Sequence, residues 1–290
     1  MLPVDSTMYL KVSFIDRLKF YLKHKKKFRK IFCFANVPPP IRLEGKVITY
    51  FHSFMLDLPI GTSLKVKFVL ILKRWIIKLL KQNTDFWFVQ SSNMEKLVID
   101  KLKVKKEIIF KFPFYKPLAP KVQVSRQQGS FIYMSNGYEH KNHNRLLDAW
   151  EVIFANGYNV PLTLTIKDRF KDLNDRVKKL QKSGYNIYNN GWVDDVETIL
   201  TKNQFQIYPS LTESFGLGLV EAIECGCEVI ASNMDYVKSI ITPIEYIDPY
   251  SIENIVETVL KLKDRPLENK LESRVNIKNE LTSMLKEILK

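Results

Sequence analysis

In the second half of the chain, short apolar runs alternate with stretches whose apolar residues recur at helical spacing. Phe131–Met134, Leu162–Ile166, Asn186–Tyr188, Phe205–Tyr208, Glu228–Ala231 and Ile244–Ile247 read as strands. Between them, Leu147, Trp150 and Phe154 fall on one helical face at i, i+3 and i+7. Val177, Leu180 and Gln181 mark a second helix that stops before Gly184. Ile252, Ile255, Val256, Val259 and Leu260 mark a third. Such alternation predicts a parallel sheet with helices on both faces.

The first half is less regular. Ile31–Ala35 and Lys46–Phe51 read as strands separated by the breaker Pro38-Pro39-Pro40. A helical stretch from about Leu64 to Lys81 follows. Phe86–Gln90 reads as a strand, Asn93–Leu102 as a helix and Ile108–Phe110 as a closing strand. Lys116–Gly129 is polar and bears Pro117 and Pro120, so it reads as a linker between domains at residues 1–120 and 129–290. A chain of 290 residues is long enough for two domains, each with its own core.

Charge separates the halves further. The formal net charge is +14, but residues 1–130 hold 26 Lys+Arg against 8 Asp+Glu, whereas residues 131–290 hold 19 against 23. A strongly basic half calls for an anionic partner, nucleic acid or an anionic membrane leaflet, unless it is simply a solvated lysine-rich surface. No basic–aromatic nucleic-acid module is present, so nucleic acid is not the expected partner. The stretch Phe68–Lys81 places Arg74, Lys78 and Lys81 on one helical face among aliphatics and Trp75. That pattern suits a membrane-surface helix. It equally suits a helix packed on a sheet with a lysine-rich outer side.

Three cysteines (Cys33, Cys225 and Cys227) are too few for a disulfide framework and fit a reducing compartment. Cys225-Gly-Cys227 lacks further ligands at zinc spacing, so the pair reads as small buried apolar residues. No apolar run reaches the length needed to span a bilayer. Met1–Leu10, interrupted by Asp5, does not read as a signal peptide.

Ligands of doubly wound sheets bind beyond the carboxyl ends of the strands. After Phe205–Tyr208 comes Pro209-Ser-Leu-Thr-Glu213-Ser-Phe-Gly216-Leu-Gly-Leu-Val-Glu221-Ala. A helix beginning near Gly216 offers free backbone N–H groups and its dipole to a phosphate or a sugar hydroxyl. Glycine at 216 and 218 allows a ligand close to the backbone. A carboxylate such as Glu221 can accept both hydrogen bonds of a vicinal diol. Taken alone, Glu213 could merely stabilise the helix dipole.

This segment resembles the E-x7-E donor motif of retaining glycosyltransferases of the two-Rossmann-domain (GT-B) type, family 4 in particular. The resemblance extends from Ser135-Asn-Gly-x-x-His-Lys141-Asn-His143 through Gly191-Trp192-Val193 to Gly226-Cys-x-Val229-Ile-Ala-Ser232, in the family's order and spacing. It implies an α/β fold of two Rossmann-like domains facing across a cleft, the N-terminal one incomplete or reduced. Met1–Lys30 contains no glycine, where the family begins with a strand and a glycine-rich loop.

The resemblance also implies roles. Glu213 would contact the donor hexose and stabilise charge at the reacting centre. Glu221 would bind the ribose diol. Ser214, Phe215, Gly216 and Leu217 would present the donor loop, with backbone N–H groups for sugar or phosphate. Lys141 would neutralise the diphosphate. Asn136 stands where the family has an arginine, which leaves Lys141 as the main motif cation; Arg145 and Lys167 are other nearby cations. Trp192 would lie near the base. His52, ending the strand Val47–Phe51, would bond the transferred sugar or orient the acceptor, although a histidine after an apolar strand can be purely structural. His140 and His143 read as supporting hydrogen-bonding or capping groups. The implied donor is a UDP- or GDP-sugar, with neither cofactor nor metal required. The implied acceptor is a lipid-linked glycan of a surface polysaccharide, such as capsule or lipopolysaccharide. The implied place is the cytoplasmic face of the plasma membrane, with peripheral association through the basic half. The alternative is a truncated or inactive relative that binds nucleotide-sugar or membrane without transfer.

Overall fold

A computed structural model describes residues 9, 13–34, 36–58, 62–119, 125–267 and 271–290. The reading of Met1–Leu10 therefore falls almost wholly outside the described residues. So do Ala35 and the part of the linker from Pro120 to Val124.

The chain divides into two compact units. Unit 1 draws on Met1–Leu56, Ser63–Pro113 and Glu280–Lys290, and unit 2 on Asp57–Thr62 and Phe114–Asn279. This differs from domains at 1–120 and 129–290 in three places, the first being the short segment Asp57–Thr62, which counts with unit 2. The segment after Phe114 already packs with unit 2: Tyr115 and Leu118 lie against its core, and the Leu118 amide donates to Glu224 Oε2 at 2.8 Å. At the other end, the Glu280 amide donates to the Pro113 carbonyl at 2.6 Å, and the last helix belongs to unit 1.

Unit 1 is built on a parallel sheet in the order β1 (Lys30–Cys33), β2 (Lys46–Phe51), β3 (Phe86–Val89) and β4 (Ile109–Lys111). Register pairs such as Ile48↔Phe86 and Trp87↔Ile109 bring apolar residues side by side. The strands agree with the expected ones to within about two residues. Phe51, Leu56, Ile77, Trp87, Met94, Val98 and Leu102 form the main core of this unit. One helix is not visible in the apolar spacing: α1 (Phe14–Lys23) has no buried residue and is begun by Ser13, whose Oγ accepts from the Asp16 amide.

On the long helix α2 (Leu64–Leu80) Lys65, Lys73 and Lys78 are exposed, but the expected basic face of Arg74, Lys78 and Lys81 is not kept together. Only Ile77 is buried. Arg74 turns inward, donating to the Leu56 carbonyl at 3.0 Å; just past the helix, Lys81 donates to the carbonyls of Leu102 and Lys103. The solvent-exposed residues also include Leu64, Phe68, Ile71, Leu72, Trp75 and Leu79. A shorter helix, α3 (Ser92–Leu97), continues into one wide turn at Val98–Leu102.

In unit 2 the strands are β5 (Gln127–Tyr133), β6 (Leu162–Leu164), β7 (Ile187–Asn189), β8 (Asn203–Tyr208) and β9 (Glu228–Ser232). A short pair, β10 (Ile241–Thr242) and β12 (Arg274–Val275), lies apart from them, and β11 (Glu245–Ile247) completes the main sheet. The helices are α4 (His143–Ala155), α5 (Lys171–Lys182), α6 (Val196–Thr201), α7 (Leu217–Glu224), α8 (Asp235–Lys238) and α9 (Ile252–Leu262); α10 (Leu281–Leu289) closes the chain in unit 1. All pairs of the main sheet are parallel, in the order β11-β9-β8-β5-β6-β7. The chain therefore winds outward one way from β5 and the other way from β8. The crevice for a ligand in such a sheet lies between those two strands, beyond their carboxyl ends. Below it, Phe131 stacks on Phe205 with centroids 4.9 Å apart, which holds the two central strands in register. Cys225 and Cys227 are buried free thiols, as expected of small apolar residues, and burial pushes them up to about 12 and about 11.

Candidate active site

The switch point between β5 and β8 determines which loops meet. The loop after β5 carries Asn136 to Asn142, and the loop after β8 carries Pro209 to Gly216. The two are tied together backbone to backbone, Leu211 N to His140 O at 2.8 Å. Asn142, in a left-handed conformation, donates from Nδ2 to the carbonyls of Pro209 (3.2 Å) and Pro249 (2.7 Å).

The central observation is that Lys141 Nζ pairs with Glu213 Oε1, both side chains being largely buried. The same carboxylate oxygen accepts from the Tyr208 hydroxyl at 3.0 Å. Burial and the nearby Glu213 charge hold Tyr208 protonated, its pKa far above the ordinary tyrosine value. Beneath it, the Tyr133 hydroxyl lies 2.7 Å from Ser210 Oγ and donates to the Lys141 carbonyl at 2.8 Å; Tyr236 donates to the Ser210 carbonyl at 2.9 Å. Three buried tyrosines thus anchor both loops, and Glu213 is held by a charge and a hydroxyl rather than acting as a helix cap.

Gly216 precedes α7 with φ +78°, a conformation that costs a residue with Cβ about 1–2 kcal/mol. Among the described residues no side chain caps this helix start. Leu217 is exposed, and Ser214 is half-buried. The Phe215 ring is in the core, 6.2 Å from Tyr115, so its backbone rather than its ring is the part available to a ligand. Gly218 has a different use from the expected one. A Cβ there would lie 3.3 Å from the Tyr208 ring and 3.4 Å from Gln206 Nε2, and Gln206 donates to the Gly218 carbonyl at 2.9 Å. This glycine lets α7 close onto β8; it does not open the backbone to a ligand. On α7, the carboxyl of Glu221 is pushed up by burial and by Glu224.

Two clefts flank this arrangement. One, of about 620 Å³, is lined by Tyr138, Asn142, His143, Arg169 and Phe170; the other, of about 620 Å³, by Asp168, Asn174, Asn189, Gly191 and Trp192. Trp192 stands apart from Glu213: it is 64% exposed, with Lys167 Nζ 3.5 Å from its ring centroid and its Nε1 donating to Asp194. Lys167 and Arg145 are both engaged, Arg145 with Asn142 Oδ1 and the Pro249 carbonyl. His143 does not cap α4; it begins the helix and packs on Tyr133 at 4.7 Å. Burial, reinforced by Lys141, lowers it to about 3, and the same two causes lower His140 to about 4.

His52 belongs to unit 1, just past β2. Its amide donates to Asn36 Oδ1 at 2.6 Å, its ring stacks on Phe34 at 5.1 Å, and burial lowers its pKa. Among the described residues no group of three His, Cys, Asp or Glu side chains is placed to hold a metal ion. Nor is any helix there long and apolar enough to cross a membrane.

Residues 117–281 match the profile of the family described as glycosyl transferases group 1. The chain belongs to this family. The matched span takes in nearly all of unit 2, including Lys141, Glu213 and Glu221. No curated protein matches the chain. Among solved structures it is similar to a mutant of S. aureus TarM in complex with fondaparinux, α-GlcNAc-glycerol and UDP (TM-score 0.66, 16% identity, 87% of this chain and 52% of that one). It is also similar to the lipopolysaccharide outer core galactosyltransferase WaaB (0.61, 16%, 91% and 74%). A third is WaaG, a glycosyltransferase involved in lipopolysaccharide biosynthesis (0.60, 14%, 87% and 73%). The chain thus spans about half the length of TarM. These likenesses give the fold, GT-B with two Rossmann-like units, at an identity too low to carry activity across.

Ser210 and Asn142 lie within the quoted motifs but receive no role from them, and Tyr208 and Tyr133 are missed altogether. The only signal of the two tyrosines in the sequence is position, at the carboxyl ends of the two strands that flank the switch point.

Proposed function

We propose that the chain transfers a hexose from a nucleotide-diphosphate sugar, held on unit 2, to a glycan acceptor, with retention of the anomeric configuration. The observation that carries this reading is the Lys141–Glu213–Tyr208 cluster at the switch point, beside the start of α7. A diphosphate there would find the Lys141 ammonium and the uncapped N–H groups at Gly216–Gly218. Glu221 is one helical turn further on, where a ribose diol would meet it.

In the step proposed, the bond from the anomeric carbon to the diphosphate oxygen breaks. The acceptor oxygen bonds to that carbon on the same face, and its proton passes to the leaving phosphate. Glu213, fixed by two partners, would stabilise the positive charge that develops on the sugar. UDP as the nucleotide is supported by its presence in the TarM complex. A lipid-linked acceptor of a surface polysaccharide is supported by the lipopolysaccharide roles of WaaB and WaaG. His52 would serve on the acceptor side.

Calorimetric titration with UDP and GDP tests the binding half, and NMR of the linkage formed from a labelled donor tests the chemical half. The expected results are binding of one nucleotide and a product of unchanged anomeric configuration. An inverted linkage overturns retention. Binding with no transfer to any membrane glycan would favour the second reading, a non-transferring binder, to which the uncharged Asn136 points.

A further inference from the structure

The cleft of about 620 Å³ beside Tyr138 and Arg169 is not used by the donor chemistry. Right-handed crossovers put α4 and α5, which lead from β5 toward β7, on one face of the unit 2 sheet. They put α7, which leads from β8 to β9, on the other. The cleft opens on the α4–α5 side, because the first turns of those two helices form its walls. His143 and Asn144 begin α4, and Lys171 and Asp172 begin α5. Gly137 brings the walls together: a Cβ there would lie 2.8 Å from Phe170 Cγ and 3.0 Å from Leu173 Cδ2. Neither helix start has a side-chain cap among the described residues, so first-turn N–H groups of both are left for a ligand, with both dipole ends favouring an anion.

A second observation points to a ligand. His143 is 3% exposed, and among the described residues neither ring nitrogen has a hydrogen-bond partner; the Ser135 carbonyl faces the ring without a well-formed bond. A buried polar group left so is costly, and a bound acceptor would satisfy it. The exposed Arg169 guanidinium lies over the Tyr138 and Phe170 rings, 5.2 and 4.9 Å from their centroids, and donates to the Tyr138 hydroxyl at 2.6 Å. Two exposed carboxylates, Glu139 and Asp172, also line the cleft. A bare anion would have no use for them, whereas sugar hydroxyls would donate to them. The volume is that of a small-molecule site, for which roughly 300–1,000 Å³ is usual, rather than of a single ion. We propose that this cleft binds a hexose phosphate, its phosphoryl group on the α4 and α5 N–H groups, His143 and Arg169, and its hydroxyls on Glu139 and Asp172. This is independent of the donor chemistry, which uses the other side of the sheet.

The test is calorimetry on the full chain with glucose 6-phosphate and glucose 1-phosphate, each in the presence of saturating UDP, with inorganic phosphate and glucose as controls. At least one hexose phosphate should bind, about tenfold or more tighter than inorganic phosphate, and glucose alone should not bind. Nitrogen NMR should show the His143 ring signals shifting as it binds. Arg169→Ala should weaken binding about tenfold or more, the loss of one charge-assisted hydrogen bond, while UDP affinity and the melting temperature hold. Asn144→Trp, which adds bulk at an exposed position of the same cleft, should do likewise and stands in if the first variant fails to fold. Four results would overturn the proposal: no binding of either hexose phosphate, binding no tighter than that of inorganic phosphate, binding that UDP displaces, or binding that survives both substitutions. Titration of UDP alone reads the donor site separately.

Discussion

The Lys141 ammonium and the Glu213 carboxylate, 72 residues apart in the chain, form an ion pair across the switch point of the unit 2 sheet. The pair is largely shielded from water, so each member depends on the other: removing one leaves the other charge without its partner, which is costly when buried. It also places the motif cation beside the group that would face the sugar. An incoming diphosphate would share Lys141 with Glu213 rather than find it free.

Lys141→Ala is therefore expected to weaken UDP binding by about tenfold to a hundredfold, the loss of a charge-assisted hydrogen bond of about 1.5–3 kcal/mol. It should also lower the melting temperature, because Glu213 loses its counter-charge. Calorimetry and a thermal melt read the two effects separately.

Tyr208 offers a finer probe. Tyr208→Phe keeps the ring against Gly218 and removes only the hydroxyl that holds Glu213 Oε1. Transfer should fall by about tenfold through kcat, with UDP affinity nearly unchanged, if the hydroxyl positions the carboxylate. A rise in KM with unchanged kcat would show that the bond serves binding instead.

Gly216→Ala tests the loop's backbone. At φ +78°, with Leu219 Cδ1 3.0 Å from the added Cβ, the substitution should cost about 1–2 kcal/mol and impair nucleotide binding. A variant as stable as the parent in urea would contradict the left-handed turn.

The pH dependence follows from His143 and His140. Their pKa values in the folded chain, about 3 and about 4, lie below the ordinary 6.5, so the unfolded chain takes up protons first. Their contribution to stability is complete above about pH 6.5 and is lost as pH falls toward the folded values. At about pH 5 the buried His143 alone should cost about 2 kcal/mol relative to neutral pH. His143→Phe should flatten the fall in urea midpoint between about pH 7 and pH 5; an unchanged fall would place its origin elsewhere.

Much of unit 2 is legible in the sequence because its strands are short buried runs and its helices carry inward stripes, as with Leu147 and Trp150. The donor loop is legible because glycine and two carboxylates follow a strand at fixed spacing. Sequence does not show the partners of those residues. The Lys141–Glu213 pair and the tyrosines beneath it come from strand order, a long-range property that no local spacing encodes. Gly218 misleads for the same reason, since its neighbour is Tyr208 on another element. Along α2, spacing shows an amphipathic helix but not which residues it buries, and of its apolar residues only Ile77 is buried.

Transfer of a labelled hexose from UDP-sugars to membrane glycan, compared between the parent chain and Glu213→Gln, tests the central claim most directly. Glutamine keeps an acceptor for Tyr208 and removes the charge. The expected result is transfer by the parent and a rate lower by about a hundredfold to a thousandfold in the variant, the scale of losing one electrostatic stabiliser of a transition state. Equal rates would contradict the role given to Glu213.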